Sequence, residues 1–133
     1  MLKETISYTD FLGNERTEDF RFNLTEAELM EMELGTTGGF TEYVNKISAS
    51  QDTPEMIKIF KELILKSYGV ISPDGRRFEK NDKLREEFSQ TEAYSKLFMK
   101  LAMDADAAAK FITGIVPANM AAQLDKEIPN LTK

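Results

Sequence analysis

Carboxylates are the only residues of this chain dense enough to suggest chemistry. Among its 133 residues there is no cysteine and no histidine. Thiolate chemistry, disulfides, the commonest general base and the commonest transition-metal ligand are therefore all missing. Glu26, Glu28, Glu31 and Glu33 crowd one segment, and Glu86, Glu87 and Glu92 another. Paired carboxylates hydrolyse glycosides when they face each other across a sugar. These pairs sit instead in local clusters beside helix-start signals, which is the pattern of solvated helix faces. Asp104-Ala-Asp106 and Ser72-Pro-Asp74-Gly75 offer oxygen ligands, but neither completes the alternating acids, central glycine and terminal glutamate of a calcium loop. They read as a helix cap and a tight turn. Gly38, Gly39, Gly69 and Gly75 build no phosphate-binding loop. The residues predict a protein that is not an enzyme and that holds no metal or cofactor.

Arg76, Arg77 and Lys80, with Lys83 and Arg85 beyond, form a basic patch in a chain of net charge −6. An acidic exterior repels phosphate backbones and anionic lipid, so neither nucleic acid nor membrane is the expected partner. The patch reads as a solvated loop or as a contact for an acidic partner. No apolar run approaches the roughly 18 residues needed to cross a bilayer. Met1-Leu-Lys-Glu-Thr5 lacks an apolar signal stretch, and the expectation is a soluble intracellular protein. An apolar content of 41% suffices for a real core, which places residues 1–133 in one expected domain.

Side chains suited to gripping a partner are more conspicuous than catalytic ones. The methionines include Met30, Met32, Met99, Met103 and Met120. Methionine is flexible and suits grooves that accept varied apolar partners. Phe11 and Leu12 are apolar at a turn, where polar residues are usual. The contact candidates are Phe11, Leu12, Met30, Met32, Phe98, Met99 and Met103.

The elements that must position them follow from pattern. Leu2, Ile6 and Tyr8 alternate with polar residues, as do Phe20 and Phe22, which predicts two strands. Asp10-Phe11-Leu12-Gly13 is a type I turn sequence, with Gly13 as the left-handed bulge residue. Such a bulge pairs even positions with even positions and puts the five apolar residues on one face. Thr25 and Glu28 write a capping box, with Leu24 and Leu29 placed as a staple. That helix stops at Gly35. Further helices are expected around Phe40–Ile47, from Thr53-Pro54 to Gly69, from Asn81 to Phe88, after Ser89 or Thr91, and from Asp104 to Ile115. Pro117 ends the last. The fold class is mostly α (α+β): a hairpin over residues 1–23, packed on about six short helices in 24–117, with a frayed tail over 118–133.

The hairpin-to-helix block, from Tyr8 through Phe20 into Asn23–Leu34, resembles the start of the tail assembly chaperones of siphophages and prophages of Gram-positive bacteria. The likeness continues through Phe60-Lys-Glu-Leu-Ile-Leu-Lys-Ser-Tyr-Gly69, Ser72-Pro-Asp-Gly-Arg-Arg-Phe78 and Phe88-Ser-Gln-Thr-Glu-Ala-Tyr94. It ends in Phe98–Ala109 and Phe111-Ile-Thr-Gly-Ile-Val-Pro117, so it covers about residues 4–117. The match is one of pattern and order, with no catalytic signature in it.

The resemblance implies a chaperone that coats the long tape measure protein and keeps it soluble while tube subunits, built from the major tail protein, polymerise around it. It implies action in the host cytoplasm, absence from the finished virion and, in many members, a longer frameshifted form. Many weak contacts along one long partner gain from avidity, so a multi-copy, head-to-tail helical array is expected. A structural head–tail connector or tail completion protein is the alternative. A connector remains in purified virions, and a chaperone does not.

Overall fold

The computed structural model describes residues 1–35 and 53–117. Strands β1 (Leu2–Thr9) and β2 (Glu15–Phe22) pair antiparallel, with Leu2 opposite Phe22, Ile6 opposite Glu18 and Tyr8 opposite Arg16. Even positions do face even positions. The turn is the cause: Gly13 N–H donates to Asp10 O at 3.0 Å, Asp10 N–H donates to Asn14 O at 2.8 Å, and Gly13 has φ 89°. A left-handed residue after a type I turn inserts the extra residue that sets this register.

The Asp10 carboxylate organises the tip. It accepts the N–H groups of Leu12 and Asn14, each at 2.9 Å, and the Arg16 Nε–H at 2.6 Å. The Arg16 guanidinium and these backbone donors hold the Asp10 carboxyl at about 2, below its ordinary 3.8. A carboxyl lowered on folding stabilises the native form above its ordinary range, and that stabilisation is lost as the pH falls through the folded value. Amide exchange at Leu12 and Asn14 is therefore expected to accelerate, relative to the rest of the hairpin, as the pH drops from about 4 to about 2. Unchanged relative protection over that interval would remove Asp10 as the organiser.

After the hairpin, α1 (Glu26–Gly35) starts with the reciprocal bonds of a capping box. Thr25 N–H donates to Glu28 Oε1 at 2.9 Å, and Glu28 N–H donates to Thr25 Oγ1 at 3.1 Å. Helix α2 (Thr53–Ser67) follows the segment outside the described residues. It runs directly into β3 (Tyr68–Ile71), which turns at Ser72–Gly75 into β4 (Phe78–Glu79). Then come α3 (Asp82–Ser89), capped by Asn81, α4 (Glu92–Met103), capped by Thr91, and α5 (Ala105–Ile115), capped by Asp104. The caps fall on the side-chain oxygens the sequence offers, with Thr91 rather than Ser89 serving α4.

The α+β class is as expected, and two elements add to it. The sheet has four strands in the order β1-β2-β3-β4, where the sequence predicts only the hairpin. Strand β3 joins β2 through Arg21 opposite Gly69 and Phe22 opposite Tyr68. Gly69 does more than end a helix. A Cβ there would lie 2.7 Å from the Phe78 ring and 2.9 Å from Glu79 O, so only glycine lets β4 approach this closely. The described residues hold five helices. The helix expected at Phe40–Ile47 and the tail over 118–133, Met120 included, lie outside them.

One face of the sheet covers the helices. Ile6 and Phe22 are buried, and Leu2, Tyr8 and Phe20 pack against a core built by Leu63, Ile64, Leu97, Leu101, Phe111 and Ile112. Aromatic rings mark its centre: Tyr68 stacks on Phe88 with centroids 4.2 Å apart, and Phe22 meets the edge of Phe111 at 5.3 Å. Helix α5 is tied to the hairpin's exit by Leu24 N–H donating to Ile115 O at 2.6 Å. Among the described residues no buried side-chain nitrogen or oxygen lacks a hydrogen-bond partner.

Candidate partner-binding site

The fold brings the hairpin tip to the side of the helical layer. Phe11 from the tip, Ile57 and Lys61 from α2, and Tyr94, Ser95 and Phe98 from α4 line an open groove of about 450 Å³. Ser89, Gln90, Thr91 and Glu92, at the α3–α4 junction, form its polar end. The spacing explains the lining. Ile57 and Lys61 are four apart on α2, and Tyr94 and Phe98 are four apart on α4, so each pair stacks on one face. Tyr94 sits deep enough that burial pushes its hydroxyl above its ordinary value. Its ring meets Phe88 edge-on at 5.6 Å, which anchors the groove floor to the core.

Of the sequence candidates, Phe11 and Phe98 meet in this groove. Phe98 is half-buried against the core, while Phe11 is 75% exposed. Met99 and Met103 are exposed on α4. Ser95, Met99 and Met103 form one row at four-residue spacing, so the two methionines continue the helix face on which Ser95 lines the groove. Leu12 is 87% exposed at the tip, an unusual position for leucine, but it is not among the groove's lining residues. Met30 is exposed on α1 and is likewise not in the groove. The Met32 side chain lies outside the described residues. Ile57, Lys61 and Tyr94 were not candidates from sequence. Ile57 is 41% exposed.

The basic patch comes apart in three dimensions. The Lys80 ammonium turns inward and bonds Asn23 O at 2.5 Å and both Glu28 oxygens at 2.9 and 2.7 Å. Arg85 donates to Leu65 O at 3.1 Å and pairs with Asp82, while Arg77 pairs with Glu79. These cations chiefly hold elements together. Among the described residues no group of three or more acidic side chains is placed to hold a metal ion. No helix among them is long and apolar enough to cross a membrane.

The groove, part apolar and part polar, is open at the surface and is flanked by exposed methionines. Over residues 1–132 the sequence matches the family described as phage tail assembly chaperone, and the chain belongs to that family. No curated protein and no solved structure gives a significant match.

Proposed function

We propose that this chain is a non-enzymatic chaperone that binds the tape measure protein of the phage tail in the host cytoplasm, keeps it soluble during tube polymerisation and leaves before the virion is complete. The observation that supports this is the groove between the hairpin tip, α2 and α4, continued by Met99 and Met103. An amphipathic helix lays its apolar side chains into such a groove at three- and four-residue spacing. A long helical partner repeats that stripe many times, so many copies of the chain associate along it, each binding weakly. Self-association in a multi-copy array and contact with the major tail protein belong to the same proposal.

The test is co-expression with the tape measure protein encoded beside it, followed by size-exclusion chromatography with light scattering. The expected result is a soluble complex holding many copies of this chain. Phe11→Asp with Met99→Asp changes two exposed positions, so the fold is retained, and about tenfold less soluble tape measure is expected. Full recovery with the double variant would take the groove out of the proposal. Aggregation of the tape measure beside a well-folded wild-type chain would overturn the chaperone function itself.

A further inference from the structure

The outer edge of β1 pairs with no other strand among the described residues, and its chemistry selects an occupant. The bond from Asp10 N–H to Asn14 O fixes the alternation of the hairpin ladder. Thr9 opposite Glu15 is then a pair that exchanges no backbone bonds, and so are Ser7 opposite Thr17, Thr5 opposite Asp19 and Lys3 opposite Arg21. The N–H and C=O groups of Lys3, Thr5, Ser7 and Thr9 therefore point away from β2, along an open edge. Lys96 confirms the direction, because its ammonium donates to Ser7 O at 3.0 Å from α4 beside that edge.

Edges of this length are usually blunted by a proline, a bulge or a covering element. Here β1 runs eight residues without a proline or a bulge, and Thr5, Ser7 and Thr9 are exposed on it. Two lysines, Lys3 on the strand and Lys96 beside it, flank this edge although the protein as a whole is acidic. Neither Lys3 nor Lys96 has a carboxylate partner among the described residues. Of the acids nearby, Glu4 pairs with Lys100 at 3.6 Å and Asp19 accepts the Thr5 hydroxyl at 2.6 Å, while Glu15, opposite Thr9, lines the same recess as Lys96. A second copy of β1 is a poor occupant, since two-fold pairing gathers Lys3 and Lys96 of both copies along one seam.

We propose that β1 is a strand-docking edge for an extended, carboxylate-bearing segment of another polypeptide. The segment's backbone bonds Lys3, Thr5, Ser7 and Thr9, and its acidic side chains take Lys3 and Lys96. Lys96 then exchanges the Ser7 carbonyl for a carboxylate. This site is separate from the groove and does not depend on it.

The probe is a short capped peptide of alternating glutamate and valine, added at millimolar concentration to the full chain and followed by amide exchange and chemical shifts. Its twin with lysine for glutamate is the control. The expected result is at least about tenfold slower exchange at Lys3, Thr5, Ser7 and Thr9, with little change at Glu4, Ile6 and Tyr8, which already bond β2. Ser7→Pro removes an outward N–H that the sheet does not use, and it should abolish the effect. Lys96→Glu leaves the backbone untouched and should weaken the acidic peptide about tenfold while admitting the basic twin. If the edge amides gain no protection, or if Lys96→Glu leaves the preference for the acidic peptide unchanged, the proposal fails. A doubled mass by light scattering, with the same amides protected in the absence of peptide, would assign the edge to a second copy and overturn it as well.

Discussion

Phe22→Ala is expected to lower the unfolding free energy by about 3–5 kcal/mol, the range for truncating a fully buried aromatic side chain. Phe22 has no exposed surface and sits where the hairpin, the second half of the sheet and two helices meet. Its ring contacts Tyr68 and Phe88 with centroids 5.8 Å apart in each case, and Phe111 at 5.3 Å. With Arg21 it is one of the two residues through which β2 pairs with both β1 and β3, Phe22 standing opposite Leu2 and Tyr68. Truncation opens a cavity bounded by rings that belong to different elements, so no single side chain can collapse into it. Phe22→Leu keeps much of the volume and should cost about 1–2 kcal/mol. Leu12→Ala, at the exposed tip, should stay within about 0.5 kcal/mol. Urea denaturation of the three variants checks the order. A Phe22→Ala loss near that of Leu12→Ala would mean that the sheet is not held to the helices by this cluster.

What could be read from the sequence is what short-range chemistry decides. Asp10 and Gly13 specify the turn by backbone geometry, and the turn alone fixes the even-to-even register. Thr25, Asn81, Thr91 and Asp104 announce helix starts because a cap bonds amides only two or three residues away. The strands β3 and β4 were not legible for the opposite reason. Tyr68-Gly-Val-Ile has no alternation to distinguish it, and Val70 and Ile71 are each 39% exposed. It becomes a strand only because Arg21 and Phe22 are there to pair with, and because Gly69 leaves room for Phe78. The groove was half legible. Phe11 and Phe98 each stand out by type and place, but nothing local says that the tip folds over α4, or that Ile57 faces outward. Lys80 misleads for a related reason. Counted with Arg76 and Arg77 it belongs to a basic run. It follows β4 two residues after Phe78, and its ammonium lies 5.6 Å from that ring's centre.

That inward turn makes Lys80→Ala the second large expected effect, about 2–4 kcal/mol of lost stability. The Lys80 side chain is only 10% exposed and Glu28 28%, so the pair is largely removed from water. Burial outweighs pairing at Lys80 and pulls its ammonium below its ordinary value. Burial also pushes the Glu28 carboxyl up, but hydrogen bonds from Lys80 and from Thr25 outweigh it and hold the group below its ordinary range. The pair as a whole is then no large stabiliser, because desolvation offsets much of the attraction. Removing one partner is costly all the same. It strands a half-buried carboxylate and takes from Asn23 O the donor that fixes the start of α1. Lys80→Met retains the packing of the stem and should cost less than alanine. Adding Glu28→Gln to Lys80→Met should restore part of the loss, because the stranded charge is gone. The pH dependence follows from the sign of the Glu28 shift. A carboxyl lowered on folding contributes above its ordinary range and ceases to contribute as the pH falls through its folded value. The gap between wild type and Lys80→Met should thus be widest near neutral pH and close on acidification. A gap that stays constant into acid would show that Lys80 acts through its bond to Asn23 O and that Glu28 loses nothing when the ammonium is removed.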